Sequence, residues 1–455
     1  MTKDNSMKKS IITIAAAMAA TFPALAGGLV TNTNQSVAFF RMPAQEAVIS
    51  VDGAYFNPAG IGFMNDGLHL GLNWEAAWQT RQTTTKYAPL MYGKGNDSAS
   101  KLYKGKAFAP CIPSLDIAFV RDRWFIADHF GVLGGGGKAS YGNGLGAFES
   151  QIAQLAAMFN QAGVPVSYGV DMNLEGTQYF FANQILAGYR INDHISIAAG
   201  LRLTYGKAGY NAAISNIQLN GMPAAAFLNA AGFPQYAPMV ADRALDCVQS
   251  GLGAAPVVSV DCKAGNWNFA ARYEFKTRLA LKNTTKANTS GMSQFDDGKS
   301  LDSDIPAVLA AGIGYTAFTK LHLYGSVHYY FDKGAKTYNS VTDCGDRQNL
   351  LGGNTQEYIA GIEYDICDWL TVSCGAQRTA HNTGKGHEYN TDLSFAVSST
   401  SLGAGAKVRV SPVMELNLGY FHTLFDRDTK IESETLSTEY FKTSKALGIG
   451  MNFAF

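Results

Sequence analysis

Charge is scarce in this sequence. Only 16% of its 455 residues are charged, and 36 Lys and Arg balance 36 Asp and Glu to a net charge of zero. No basic surface is available to hold nucleic acid. Long hydrophobic runs are missing as well. Beyond residue 26 no stretch approaches the ~18 uninterrupted apolar residues of a membrane helix, although 47% of the residues are hydrophobic. Cysteine is sparse, with six in all (Cys111, Cys247, Cys262, Cys344, Cys367 and Cys374) and no Cys-x-x-Cys or Cys/His metal spacing. No Gly-x-Ser-x-Gly nucleophile motif occurs. Neither a metal nor a cofactor is expected.

What the chain does have is glycine (48) and aromatic residues (22 Tyr, 26 Phe, 5 Trp). Many aromatics and glycines with few charges suit a large β structure with tight turns, and suit a helical bundle poorly. The first 26 residues read as a signal peptide. Lys8 and Lys9 form a positive start, Ile11 to Phe22 an apolar core, and Ala24-Leu25-Ala26 a small-x-small cleavage pattern. The mature chain then begins at Gly27. An exported chain without membrane helices is either soluble or a transmembrane barrel. The last residues favour the barrel: apolar side chains stand at 447, 449, 451, 453 and 455, with small or polar ones between, and the chain stops on Phe455.

Barrel strands alternate lipid-facing apolar residues with lumen-facing polar ones over ~10 positions. In 195–205 the odd positions are Ile, Ile, Ala, Leu, Leu and Tyr, against Ser196, Ala198, Gly200, Arg202 and Thr204. The stretch 321–331 repeats the pattern, with His322, Tyr324, Ser326, His328 and Tyr330 on the polar face. In 269–281 the odd positions are mainly apolar, and Arg272, Glu274, Lys276 and Arg278 share the other face. Several charges on one face are awkward in a dry core and natural in a wet lumen.

Such segments number fourteen: 68–82, 105–121, 124–141, 169–189, 194–215, 253–263, 267–286, 303–316, 320–337, 355–366, 369–382, 391–410, 413–427 and 437–455. The sixth is short. Short connections such as Asp122-Arg123, Cys367-Asp368 and Ser411-Pro412 alternate with long ones. Short periplasmic turns against long external loops are the asymmetry of an outer-membrane barrel. The expected fold is therefore all-β, a 14-stranded antiparallel transmembrane β-barrel. Residues 27–66 precede the first strand without alternating and are long enough for a small N-terminal luminal hatch. Two external loops, near 144–167 and 216–252, carry helical character. In the first, Phe148, Ile152, Leu155 and Phe159 recur at helical spacing, an apolar face that a hydrophobic ligand could cover.

With Asn57-Pro58-Ala59-Gly60 ahead of the first strand of this plan and Asn452-Phe453-Ala454-Phe455 at its end, the sequence resembles the FadL/TodX family of outer-membrane transporters of hydrophobic compounds. Asn57-Pro58-Ala59-Gly60, after Ser50-Val51-Asp52-Gly53-Ala54-Tyr55-Phe56, is similar to the hatch signature of that family. Tyr189 to Ser196, Ile305-Pro306-Ala307 and Asn452-Phe453-Ala454-Phe455 add weaker matches. The resemblance implies a fourteen-stranded barrel, closed by a hatch, that takes up long-chain fatty acids or aromatic hydrocarbons among its external loops. Ligand would leave sideways through a gap at a kinked third strand. Gly134-Gly135-Gly136-Gly137 lies in the third segment, where four glycines weaken a strand. No Gly-Lys-Ser/Thr follows them in phosphate-loop register. Lys138, Arg272, Lys276 and Arg278 are candidates to hold a ligand carboxylate.

Other partners expected are outer-membrane lipid, lipopolysaccharide and the barrel-assembly machinery, around a monomer. At most one disulfide is expected. Cys262 falls at the periplasmic end of its segment and Cys247 outside it, too far apart for the ~5.5 Å Cα separation of a bridge. Cys374, in phase with Leu370 and Val372, faces lipid. Two readings compete with transport on the same barrel: a general porin or surface-binding protein, and a lipid-modifying enzyme built on Ser326 with His322 or His328.

Overall fold

The computed structural model describes residues 35–338 and 347–455. The signal peptide, Gly27 and Cys344 lie outside the described residues. Among the described residues fourteen antiparallel strands form one closed sheet. They are β1 (Gly67–Tyr87), β2 (Ser100–Arg121), β3 (Trp124–Tyr141), β4 (Tyr168–Arg190), β5 (Ile195–Leu219), β6 (Arg243–Ala264) and β7 (Trp267–Glu274 and Ala280–Asn288). Then come β8 (Ser300–Asp302 and Val308–Ala317), β9 (Leu321–Tyr330), β10 (Gln356–Cys367), β11 (Leu370–Ala380), β12 (Ser399–Ser411), β13 (Met414–Phe425 and Asp428–Ile431) and β14 (Leu436–Ala454). Closure comes from β14 pairing with β1, from His69–Ala454 to Tyr87–Leu436. The final residue takes part: Phe455 N–H donates to Leu68 O at 2.9 Å. Among the described residues no helix is long and apolar enough to cross a membrane.

Alternation decides which face is which. On β5, Ile195, Ile197, Leu201, Leu203 and Tyr205 point out, while Ser196, Arg202 and Thr204 are buried inside. The outward residues of all strands make an apolar band that includes Leu72, Trp74, Ile126, Phe269, Leu309 and Leu447. The expected short turns at Asp122-Arg123, Cys367-Asp368 and Ser411-Pro412 lie at one end of the barrel, together with Phe455. Cys374 is exposed on this outer wall, and the five described cysteines are all free.

Three expectations need correction. The sixth strand is not short, because it runs from Arg243 to Ala264 and takes in Cys247. Its upper half carries Asp246, Gln249, Ser250, Gly251 and Gly253, a composition that hides the alternation. Second, β7 is interrupted between Glu274 and Ala280. Arg272 and Glu274 point inward as expected, but beyond the interruption the parity reverses: Thr277, Leu279 and Leu281 are buried and Arg278 is exposed. Third, Lys138 is exposed and pairs with Glu175 at 2.8 Å, while its neighbours Ala139 and Tyr141 face the interior.

Inside the barrel sits the hatch. Helix α1 (Val37–Arg41) opens with Ser36, whose hydroxyl accepts from Phe39 N–H. A 3-10 turn at Val51–Ala54 and another at Pro58–Phe63 follow. Nearly every residue from 35 to 62 is buried, polar ones included.

Candidate ligand path from the external loops to the barrel wall

At the external end, α2 (Gly146–Gln161) packs on α3 (Ala224–Ala230) and on the 3-10 turn Pro234–Val240. Phe159 meets Phe227 and Phe233 edge-on at ring separations of 5.3 and 6.0 Å. Leu155 and Phe159 are thus used up in holding the loops together. Phe148 and Ile152, a turn nearer the barrel, line an apolar cleft with Met172, Ile214, Ile217 and Met239. Of the four apolar helix positions read as one ligand-facing stripe, Leu155 and Phe159 hold the loops, Phe148 lines the cleft and Ile152 does both. Glu149 anchors α2 to the wall: it is buried, and accepts from Lys101 Nζ (2.7 Å), Tyr103 (2.8 Å) and Tyr168 (3.0 Å).

Below the cleft an interior cluster of Tyr141, Leu174, Tyr210, Leu245, Met292, Phe295 and Leu393 leads down into the lumen. A second cluster continues around the hatch, joining Phe39, Phe40, Tyr55 and Phe56 to Leu133, Phe180, Leu279 and Ile305 from the wall.

The hatch is tied down by polar contacts on several sides. Asn57 caps the second 3-10 turn by accepting from Gly60 N–H (3.2 Å), and Pro58 supplies the fixed φ of its first position. The Asn57 amide also donates to Asp261 on β6 (2.5 Å), while Ala59 N–H donates to Ser259 (3.3 Å). Gly60 fits because an added Cβ would lie 2.3 Å from Asn57 Nδ2. On the other side Arg41 binds Glu363, Ser373 (3.1 Å) and Asn417 (2.9 Å). In the middle, Glu46 meets His328 (2.7 Å) and lies near Arg272 (3.8 Å). Burial pushes the Glu46 carboxyl up, but His328 and Arg272 beside it outweigh that and hold it below its usual value. Arg272 and Arg202 both bind Glu274 and both lie against the Tyr55 ring, at 4.7 and 5.1 Å. Arg272 is therefore a hatch anchor whose charge is already engaged. Lys276 is occupied too, with Gly334 O at 2.9 Å and Asp304 at 3.5 Å.

The wall has a break where the four glycines stand. β2 and β3 pair from Arg121–Trp124 up to Leu115–Phe130, and pairing resumes only at Ala107–Ala139. Residues 108–114 and 131–138 between these points form no ladder. On β2 this stretch contains Pro110 and Pro113, which have no N–H to donate. On β3 the register with β4 slips twice, between Val132 and Gly134 and between Gly134 and Gly137. Gly135 (φ +101°) and Gly137 (φ +67°) take conformations that side chains resist, and a Cβ on Gly135 would lie 2.3 Å from Gln178 O. Gln35, at the start of the described hatch, donates to Val132 O in this gap (3.1 Å).

Solved structures share this architecture. A Pseudomonas aeruginosa FadL homologue matches with a TM-score of 0.62 and 13% identity, over 95% of this chain and 100% of that one. The fold is that of the FadL-type channels. The Pseudomonas putida toluene transporter TodX matches at 0.56 and 14% identity, over 95% of this chain and 99% of its own. The Ralstonia pickettii toluene transporter TbuX matches at 0.54 and 13% identity, over 91% and 98%. No family model matches the sequence, and no curated relative does.

Within this FadL-type fold, the buried cations that lack a carboxylate partner among the described residues lie elsewhere than expected. Arg81 on β1 and Lys442 on β14 face each other in register, and both are buried. Arg81 donates to Leu393 O (3.3 Å) and Lys442 to Phe395 O. Arg347 is buried beneath the Tyr389 ring at 4.1 Å and donates to Tyr389 O at 2.8 Å. None of the three has a carboxylate partner among the described residues. Arg81 Nη2, Arg347 Nη1 and Thr83 Oγ1 are buried without a hydrogen-bond partner in the described structure. Alternation on the terminal segment already put Lys442 on the polar face, and that signal was the one to follow. Arg347 could not be found that way, because it sits in a loop folded into the lumen.

The competing nucleophile–base pair is not formed. His328 is held between Glu357 and Glu46, both at 2.7 Å, and His322 between Asp365 (3.2 Å) and Thr316 (3.1 Å).

Proposed function

We propose that this protein is a passive transporter of hydrophobic molecules, of the long-chain fatty acid or aromatic hydrocarbon class, in the bacterial outer membrane. The observation that carries the reading is the missing β2–β3 ladder at Gly134–Gly137. In hydrocarbon, unpaired backbone is very unfavourable, so a break kept at membrane depth argues for a use. Ligand enters the cleft at Phe148 and Ile152, passes the luminal cluster and leaves through the wall at the glycines. Each CH₂ kept out of water contributes roughly 0.8 kcal/mol, which favours a sideways exit into lipid over an aqueous route. A hatch that fills the lumen speaks against the porin reading, and the likeness to solved transporters supports a non-catalytic role. Arg81, Lys442 and Arg347 are positioned to receive an anionic head.

The division of the chain belongs to the same proposal: signal peptide 1–26, hatch 27–66, then the barrel, assembled by the barrel-assembly machinery as a monomer amid lipopolysaccharide. Two experiments test the function. Lipid extracted from purified protein and identified by mass spectrometry should contain a long-chain or aromatic hydrophobe enriched over the bulk membrane lipid. The exit can be locked with Gly134→Cys, which the lower β2–β3 register, continued past Leu115–Phe130, sets opposite native Cys111. Oxidation of that pair should cut uptake at least tenfold, and reductant should restore it. Full uptake by the cross-linked protein would overturn the exit at β3.

A further inference from the structure

The wall is broken a second time, between β6 and β7. These strands pair from Ala264–Trp267 up to Val257–Glu274 and again from Ser250–Lys282 to Leu245–Asn288. Residues 251–256 and 275–281 between them form no ladder, though Phe275 N–H donates to Pro256 O (3.0 Å) at the lower edge. From Val257–Glu274 to Ser250–Lys282 β6 advances seven residues and β7 eight, so β7 carries one extra residue. β3 does the same at the first break, advancing nine residues from Phe130 to Ala139 against eight on β2.

On its other side β7 keeps its register with β8: Thr277 and Ile305 exchange hydrogen bonds of 3.1 and 2.9 Å. The two strands therefore bend inward together, and the β7 backbone lies against the inner face of β6 at the break. Gly251 and Gly253 share the inward parity of Gln249 and Ala255, and a Cβ on them would lie 2.1 Å from Ala280 O and 2.6 Å from Arg278 O. The backbone of β7 has moved into space that side chains of β6 would otherwise fill.

Both breaks stand at one height. Ser114 is seven residues from the end of β2 at Arg121, and Pro256 eight from the end of β6 at Ala264. Beside the second break, β5 turns Leu201, Leu203 and Tyr205 outward, so the surroundings are apolar. At its rim Leu252 is 76% exposed. Arg278 also points outward there, and makes no hydrogen bond or ion pair among the described residues. A cation facing lipid is unfavourable and marks a functional position. On the inner side, Leu279, Leu281 and Ile305 belong to the same apolar cluster as Leu133 and Phe180.

We propose that this second break is a side entrance for amphiphiles with an anionic head, long-chain carboxylates in particular, arriving from the surrounding lipid. The break is closed in this structure by Ala280 and Arg278 backbone against Gly251 and Gly253; when β7 parts from these glycines the tail passes onto Leu279 and Leu281 while Arg278 holds the head. This rests on the reading of the barrel as a hydrophobic transporter.

The test uses the full protein in lipid vesicles that contain either a diazirine-bearing palmitic acid or the corresponding uncharged alcohol. After irradiation, labelled residues are mapped by peptide mass spectrometry. The expected result is label on Leu279 or Leu281 with both probes. Arg278→Gln should lower carboxylate labelling there at least fivefold and leave alcohol labelling within twofold. Wild-type label on lipid-facing Leu252 and Val258 but not on Leu279 or Leu281 would overturn the entrance, as would an equal effect of Arg278→Gln on both probes. Label at Leu133 and Phe180 in that same experiment would leave the transport reading standing. Its absence there too would overturn both.

Discussion

Asn57 donates to Asp261 at 2.5 Å, joining the hatch to a strand 204 residues further along the chain. The same side chain caps its own turn by accepting from Gly60 N–H, so one residue both shapes the hatch and fastens it to the wall. Asp261→Ala should leave the Asn57 amide without this partner and weaken the attachment by about 1–3 kcal/mol. The expected outcome in planar bilayers is more frequent conducting events in a barrel that still assembles. Conductance indistinguishable from wild type would show that this bond does not hold the lumen closed.

Deletion of residues 27–60 removes the whole attachment. Ion conductance should become steady and high, because the charges left on the wall (Arg202, Arg272, Glu274, Glu357 and Glu363) would face water. Single-channel recording decides this, and a deleted protein that stays closed would assign the block to the loops.

Arg81 and Lys442 face one another as like charges, which destabilises a strand pair. Lys442→Met should therefore leave the thermal midpoint in detergent unchanged or higher. The same variant should weaken binding of a long-chain fatty acid about tenfold (~1.4 kcal/mol) and leave toluene binding alone. Calorimetric titration of both ligands gives the comparison, and equal losses would remove these cations from head recognition.

The kink at β3 depends on one backbone conformation. Gly135→Ala puts a side chain at φ +101° and against Gln178 O, so it should cost about 1–3 kcal/mol. Gly142→Ala, whose Cβ would meet open space, is the control and should be neutral. Equal thermal midpoints for the two variants would show that the kink relaxes around the added atom.

The barrel itself should give a β-dominated far-UV spectrum and migrate faster on SDS gels unheated than boiled. A helix-dominated spectrum would contradict the fold.

Strand number, the in-or-out sense of most strands and the position of the short turns were all legible in the sequence. The reason is local. A wall one residue thick, with lipid on one side and a polar interior on the other, writes a period of two into every strand it contains. Asn57-Pro58-Ala59-Gly60 was equally readable, because an amide followed by a fixed φ makes a turn by itself. The four glycines marked a weak place in β3, but not how wide the unpaired stretch is. That also depends on Pro110 and Pro113 of β2, which act only because the fold lays them beside the glycines.

What period-two reading could not supply was anything set by a break in the period. Arg278 looked luminal until the interruption of β7 reversed the parity, and Lys138, beyond the glycine kink, went the same way. Leu155 and Phe159 looked free for a ligand until a second loop, far along the chain, covered them. The buried cations show the same division. Alternation puts Arg81 and Lys442 on the inner face, but only barrel closure sets β14 beside β1 and brings the two charges opposite each other. Residue type and spacing choose a face. Which charges are left without a partner is decided by contacts between distant segments, and those exist only once the sheet has closed around its hatch.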